Sequence, residues 1–263
     1  MTRTLVAAVA LTALSAQNPA PPPATDCQET ATAINRLLGN DARLRDWPQL
    51  NRYRQANETL APPKAGESRV VFMGDSITDI WQQNRFGFFV AGKPYVDRGI
   101  SGQTTPQMLI RFRPDVIDLK PKVVVILAGT NDLAGNTGPM TNEAIEENLQ
   151  SMAELARANG IRVVIASIMP VSDYGKTRDG QPSIQTTRRP PASILAVNQW
   201  IKKYSEDNGF VYLDYFSAMV DDKGFLKSDI SRDGLHPNDK GYEIMKPLAE
   251  QAINTAFKKK PKK

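Results

Sequence analysis

Short apolar runs rich in β-branched residues, separated by longer stretches of helical periodicity, set the pattern of this chain. Arg69 to Met73, Tyr95 to Val96, Val123 to Leu127, Arg162 to Ile168 and Phe210 to Leu213 read as strands. The first of these is apolar on both faces of its pleat, as in a strand buried on both sides. Between them, Thr105-Pro106 resembles an N-cap followed by proline at the first helical position. Ile145, Leu149, Met152 and Leu155 form a helical stripe stopped by Asn159-Gly160, and Ile194, Val197, Ile201 and Tyr204 form another stopped by Asn208-Gly209. Strands alternating with helices predict an α/β fold with a parallel sheet covered on both faces. Upstream, Thr30 to Leu60 reads as helical. Asp46 is a candidate cap for Trp47, Leu50, Tyr53 and Leu60, and Pro62-Pro63 end the segment.

The ends of the chain follow other patterns. Met1-Thr2-Arg3 gives a positive start, Thr4 to Leu14 is apolar, and the small residues Ala13, Ser15 and Ala16 precede a Pro-rich stretch from Pro19 to Ala24. This is the layout of a bacterial-type signal peptide cleaved after Ser15 or Ala16, which implies a secreted or periplasmic protein. The expected organisation is a signal peptide (1–16), a Pro-rich linker (17–29), a helical extension (30–66), the α/β domain (67–257) and a basic tail (258–263). A length of 263 residues suits one such domain, and 41% hydrophobic content is enough for its core. No internal stretch is long and apolar enough to span a bilayer, so the mature chain is not expected to insert into a membrane. The net charge of +5 is local. It equals the five lysines of the tail, Lys258 to Lys260, Lys262 and Lys263, so nothing points to nucleic acid. Cys27 is the only cysteine, which rules out an intrachain disulfide; one cysteine and one histidine argue against a structural zinc site.

That one histidine, His236, is the only imidazole the chain offers for catalysis. Asp233, three residues before it, can hold one ring nitrogen while the other faces a substrate. Ser76, in Gly74-Asp75-Ser76-Ile77, follows the first predicted strand. A hydroxyl there could cap a helix or act as a nucleophile activated by His236. Thr78 occupies the place of the second glycine of a Gly-x-Ser-x-Gly elbow, which excludes the α/β-hydrolase form of that chemistry. Gly102, in Gly99-Ile100-Ser101-Gly102, can present an unobstructed N–H, and Asn131, in Gly129-Thr130-Asn131-Asp132, a side-chain amide. With the Ser76 N–H these make three donors for an oxyanion.

In these four blocks, from about Arg69 to Leu248, the chain resembles the SGNH hydrolases, the GDSL esterase/lipase family. The resemblance implies a three-layer α/β/α sandwich with a five-stranded parallel sheet, flavodoxin-like in arrangement, and no cofactor or metal. It implies Ser76 as nucleophile, His236 as general base and acid, Asp233 as its orienting partner, and oxyanion donors at Ser76, Gly102 and Asn131. Asp97 departs from the family pattern, in which many members have asparagine before Arg-Gly.

The substrate is less legible. Trp81, with Phe86, Phe88 and Phe89, could line an acyl pocket or pack in the core, and both Trp81 and Tyr174 are candidate substrate contacts. Tyr174 lies in a long polar loop, Ser172 to Ala192, with Arg178, Arg188 and Arg189. The absence of a long apolar cap favours small acyl esters, and export favours a glycan-linked one. The leading expectation is an exported acetylesterase on small-molecule or glycan esters. The alternatives are a lysophospholipase or thioesterase, an O-acyltransferase using the same acyl-enzyme, and, from another class, an inactive carbohydrate-binding or envelope protein, which would need a broken motif.

Overall fold

A computed structural model describes residues 25–83, 86–177 and 179–259. The expected signal peptide, most of the linker, Arg178 and the end of the basic tail lie outside the described residues. Two units part after Arg45. One contains helix α1 (Thr25–Arg45), which starts inside the stretch read as linker. The other, Asp46–Lys263, contains everything described below.

The five predicted strands are β1 (Val70–Gly74), β2 (Tyr95–Gly99), β3 (Val123–Leu127), β4 (Arg162–Ala166) and β5 (Val211–Leu213). They form one all-parallel sheet in the order β2-β1-β3-β4-β5. In the register of the sheet, Gly74 stands beside both Gly99 and Leu127, so β1, β2 and β3 end level. The chain moves from β1 outward to β2, then crosses back to β3 on the other side. That reversal opens a crevice at the carboxyl ends of β1 and β3, where ligands of such sheets bind.

Alternation along the strands builds two cores. Val71, Met73, Val124 and Ile126 face Met108 and Phe112 of α4 (Thr105–Asp115), Leu149 of α6 (Asn142–Ala158) and Val197 of α8 (Pro191–Asn208). Val70, Phe72 and Val125 face Ile77 of α3 (Ser76–Trp81) and Met245 and Ile253 of α10 (Asp239–Lys258). The result is the three-layer α/β/α sandwich. Both long stripes end where expected, at Asn159 and at Gly209. The cap of α4 lies one residue earlier than expected, because the Thr104 N–H donates to Gln107 Oε1 at 3.1 Å.

The continuous helix expected from Thr30 to Leu60 is interrupted. Asp46 does act as a cap, its carboxylate accepting from the N–H groups of Leu50 (2.7 Å) and Asn51 (3.0 Å). It caps only a turn, in which Gln49 takes a positive φ of 56°, before the short helix α2 (Arg54–Thr59). The segment is sewn to the ends of β2 and α4. Gln107 donates to the Trp47 carbonyl at 2.7 Å, Gln103 to the Pro48 carbonyl at 2.8 Å, and Asn57 to Asp115 at 2.7 Å. Of the expected stripe, Tyr53 is buried and Leu60 packs against the core, but Trp47 and Leu50 are exposed, because hydrogen bonding and not helical period sets the geometry here.

Candidate active site

Gly74 closes β1, and the chain turns straight into α3 with Asp75 as N-cap and Ser76 as the first helical residue. Asp75 accepts from the Ile77 N–H at 2.9 Å, which fixes the turn that presents Ser76. Burial pushes the Asp75 carboxyl up to about 6, although the Ile77 N–H and the charge of His236 pull the other way. From α10, in the same layer as α3, the Tyr242 hydroxyl donates to the Ile77 carbonyl at 2.8 Å and holds this turn in place.

The partner loop precedes α10. Asp233 folds it: one carboxylate oxygen accepts the N–H groups of Leu235 (3.0 Å) and His236 (2.8 Å), and the other meets His236 Nδ1 at 2.6 Å. His236 Nε2 lies 2.9 Å from Ser76 Oγ. Burial works to raise the Asp233 carboxyl, but the bonds from the His236 ring and N–H, with the histidine charge, hold it well below the usual carboxylate range. An ionised Asp233 assigns the ring proton to Nδ1 and leaves the Nε2 lone pair facing the serine hydroxyl. Gly234 is required here. Its φ is +75°, and a Cβ would run into the Ser172 carbonyl.

Ser76, Gly102, Asn131 and His236 line one open cleft of about 560 Å³. Gly102 has φ +82°, open to glycine and strained for other residues, while space for a Cβ is free there. The Asn131 amide is oriented from two sides. Its Nδ2 donates to the Gln103 carbonyl at 3.0 Å, and its Oδ1 accepts from Arg189 Nη2 at 3.4 Å, which leaves one Nδ2 hydrogen for a ligand. Behind these loops lies Arg111, fully buried, which donates to the Gly74 carbonyl (3.0 Å), the Arg98 carbonyl (2.9 Å), Gln103 Oε1 (2.5 Å) and Asp115 (3.0 Å). One guanidinium thus ties together the ends of β1 and β2 and the residue that holds Asn131.

Neither candidate substrate contact reaches this cleft. Trp81 is 2% exposed and stacks on Phe88 at 4.1 Å between ring centres, inside an aromatic cluster with Phe72 and Tyr242. Helical spacing explains this: Trp81 lies five residues after Ser76 and points to the sheet while Ser76 points to the crevice. Tyr174 is turned to the surface, its hydroxyl donating to Asp221 at 3.0 Å and its ring edge-on to Phe225. The loop that contains it does reach the cleft, through Gln185, Arg188 and Arg189 around the one-turn helix α7 (Gln185–Arg188). It is bound to the histidine loop, since Ser172 N–H donates to the Gly234 carbonyl at 2.9 Å and Ser183 to the Asp233 carbonyl at 2.7 Å. Asp75 lies inside the Gly74-Asp75-Ser76-Ile77 block without a role of its own being read from it, and Arg111, Asn136 and Gln185 lie in no motif that singles them out.

Residues 72–244 match the model of the GDSL-like lipase/acylhydrolase family. A solved GDSL-like lipase from Bacteroides thetaiotaomicron is 40% identical and superposes with a TM-score of 0.72, over 80% of this chain and 98% of that one. YqeF, an uncharacterized lipoprotein of Bacillus subtilis, is 37% identical over 79 residues, 29% of this chain but only 32% of YqeF. The human platelet-activating factor acetylhydrolase IB subunit alpha2 is 25% identical over 202 residues, 74% of this chain and 81% of the human one.

Proposed function

The chain belongs to the GDSL-like lipase/acylhydrolase (SGNH hydrolase) family, and from this premise we propose that it is a serine carboxylic-ester hydrolase working through an acyl-enzyme on Ser76. One observation carries the reading: the unbroken hydrogen-bond chain from Ser76 Oγ through His236 to Asp233, at the floor of an open cleft. In the proposed reaction His236 Nε2 takes the hydroxyl proton as Oγ attacks the ester carbonyl, and charged Asp233 stabilises the imidazolium. The N–H groups of Ser76 and Gly102 and the Asn131 amide receive the oxyanion, a role in which one donor is worth about 3–4 kcal/mol of transition-state stabilisation. His236 then gives its proton to the departing alcohol. A water, deprotonated by the same nitrogen, releases the acid.

The acyl group is proposed to be short, acetyl in the first instance, on a small or glycan-linked alcohol. The cleft supports this, because Ile80 and Leu235 are the aliphatic side chains that line it among mostly polar residues, and Trp81, Phe86 and Phe88, which could have formed an acyl tunnel, are spent in the core. The acetyl specificity in the name of the human relative agrees. Export is proposed from the pattern of residues 1–16, and the match to a lipoprotein is in keeping with it. The test is a series of acyl chain lengths on one chromogenic alcohol, followed by acetylated sugars. Acetate and other short esters should be turned over fastest; a steep rise in kcat/KM toward long chains would overturn the short-acyl reading.

A further inference from the structure

The cleft beside Ser76 carries charge of one sign. Arg188 and Arg189 line it, and no carboxylate among the described residues does. Arg189 is only 3% exposed and forms no ion pair with any described residue. Its Nε donates to the Thr130 carbonyl and hydroxyl (both 3.0 Å), its Nη1 to Gln185 Oε1 (2.5 Å) and its Nη2 to Asn131 Oδ1 (3.4 Å). All of these acceptors are neutral, and they leave N–H hydrogens of the five-donor fork unused. Burial first, and then the neighbouring Arg188, push its guanidinium down to about 10, against the pull of the Asp75 and Asp233 charges, so it remains charged at neutral pH. A buried cation paired with no anion is costly to keep. Arg188, exposed at the rim, is steadied by Asn136 Oδ1 at 3.3 Å. The depression on the other side of His236 differs. There Lys176, Arg232 and Lys240 are offset by Asp229, Asp233 and Asp239, and Lys240 is paired with Asp229 at 3.7 Å.

We propose that Arg188 and Arg189 form an anion subsite, so that the preferred ester carries a carboxylate or phosphate that docks on them while its carbonyl lies at Ser76. The inference rests on the esterase reading and narrows it to acidic esters. Guanidinium forks suit both anions, since each offers paired oxygens to parallel N–H donors. The bound anion would also give Arg189 a counter-charge in direct contact, since Asp75 and Asp233 act on it without a hydrogen bond. Arg189 donates to Asn131, so the subsite is hydrogen-bonded directly to the segment that carries the proposed oxyanion donor.

Three acetyl esters test this: 4-acetoxybenzoate, 4-acetoxyphenyl phosphate and the neutral methyl 4-acetoxybenzoate, each kcat/KM divided by the uncatalysed hydrolysis rate. At least one anionic ester should exceed the neutral one by about tenfold or more, the scale of a charge-assisted hydrogen bond. Whichever anion is faster identifies the source. The advantage should shrink in about 0.5 M NaCl, where exposed charges are screened. Arg188→Gln should bring the ratio toward one and Arg188→Glu below one, with melting curves showing both variants folded. An anionic-to-neutral ratio of one in the parent protein, or a ratio unmoved in both folded variants, would overturn the subsite. Loss of turnover on all three esters in the parent protein would instead overturn the esterase reading, and the subsite with it.

Discussion

Asp97 offers a quantitative test of how the site's scaffold is built. Its side chain is 8% exposed; one oxygen accepts from the Gly99 N–H at 2.8 Å and from the Tyr53 hydroxyl at 3.3 Å, and the other has no partner. Burial, with repulsion from Asp79, pushes the carboxyl from an ordinary 3.8 up to about 7, against the pull of the Gly99 N–H, Tyr53 and Arg98. Because the folded state holds the proton more tightly than the unfolded chain, the stability it contributes is full below about pH 4. It is lost as the pH rises through about 7. At about 1.4 kcal/mol per tenfold change in proton affinity, the loss reaches about 4 kcal/mol, a ceiling for a buried group. Asp97→Asn copies the neutral form at every pH and keeps an oxygen for the Gly99 N–H. The variant's stability relative to the parent should therefore rise by up to about 4 kcal/mol between pH 4 and pH 8. Urea unfolding at those two pH values measures it. Any fixed cost of the amide, and the titration of Asp75 in the same range, cancel in the difference. A stability difference of the same size at both pH values would refute the reasoning.

Other perturbations probe the site and its support. Arg111→Met should cost about 3–5 kcal/mol in urea unfolding, because it strands Asp115 and the Gly74 carbonyl in the core; a loss below 1 kcal/mol would deny Arg111 its bracing role. Asn131→Ala should lower kcat on a short ester about 100- to 1000-fold with little change in KM; a change confined to KM would place Asn131 in ground-state binding. Gly234→Ala should destabilise the protein by more than the 1–2 kcal/mol of left-handed strain alone, because the new methyl meets the Ser172 carbonyl; a neutral melting curve would contradict that packing.

Much of the fold is legible because buried parallel strands read as apolar runs. Val123 to Leu127 is a strand from end to end, and the stops at Asn159 and Gly209 are local turn chemistry. The residues that meet in the cleft can be picked out because each follows a strand end or belongs to a compact turn around the lone histidine. Side-chain direction is what the pattern does not carry. Trp81 and Phe88 are equally apolar as core or as pocket; the pitch of α3 turns Trp81 into the core, and Phe88 from the following loop stacks on it. Arg111 and Arg189 look like surface cations in sequence. Their burial depends on carbonyls and amides brought together from β1, β2 and α5 (Thr130–Leu133), long-range partners that no local pattern encodes. The break at Asp46 has a local cause: its carboxylate accepts from the Leu50 and Asn51 N–H groups, and these bonds override a stripe that also suits a helix.

The central claim is that Ser76 is the nucleophile, activated by the only imidazole in the chain. Reaction with a fluorophosphonate followed by peptide mass spectrometry tests it most directly. The account predicts a single adduct on Ser76, absent in Ser76→Ala and much slower to form in His236→Ala, with both variants folded. An adduct on another residue, or undiminished labelling of Ser76→Ala, would contradict it.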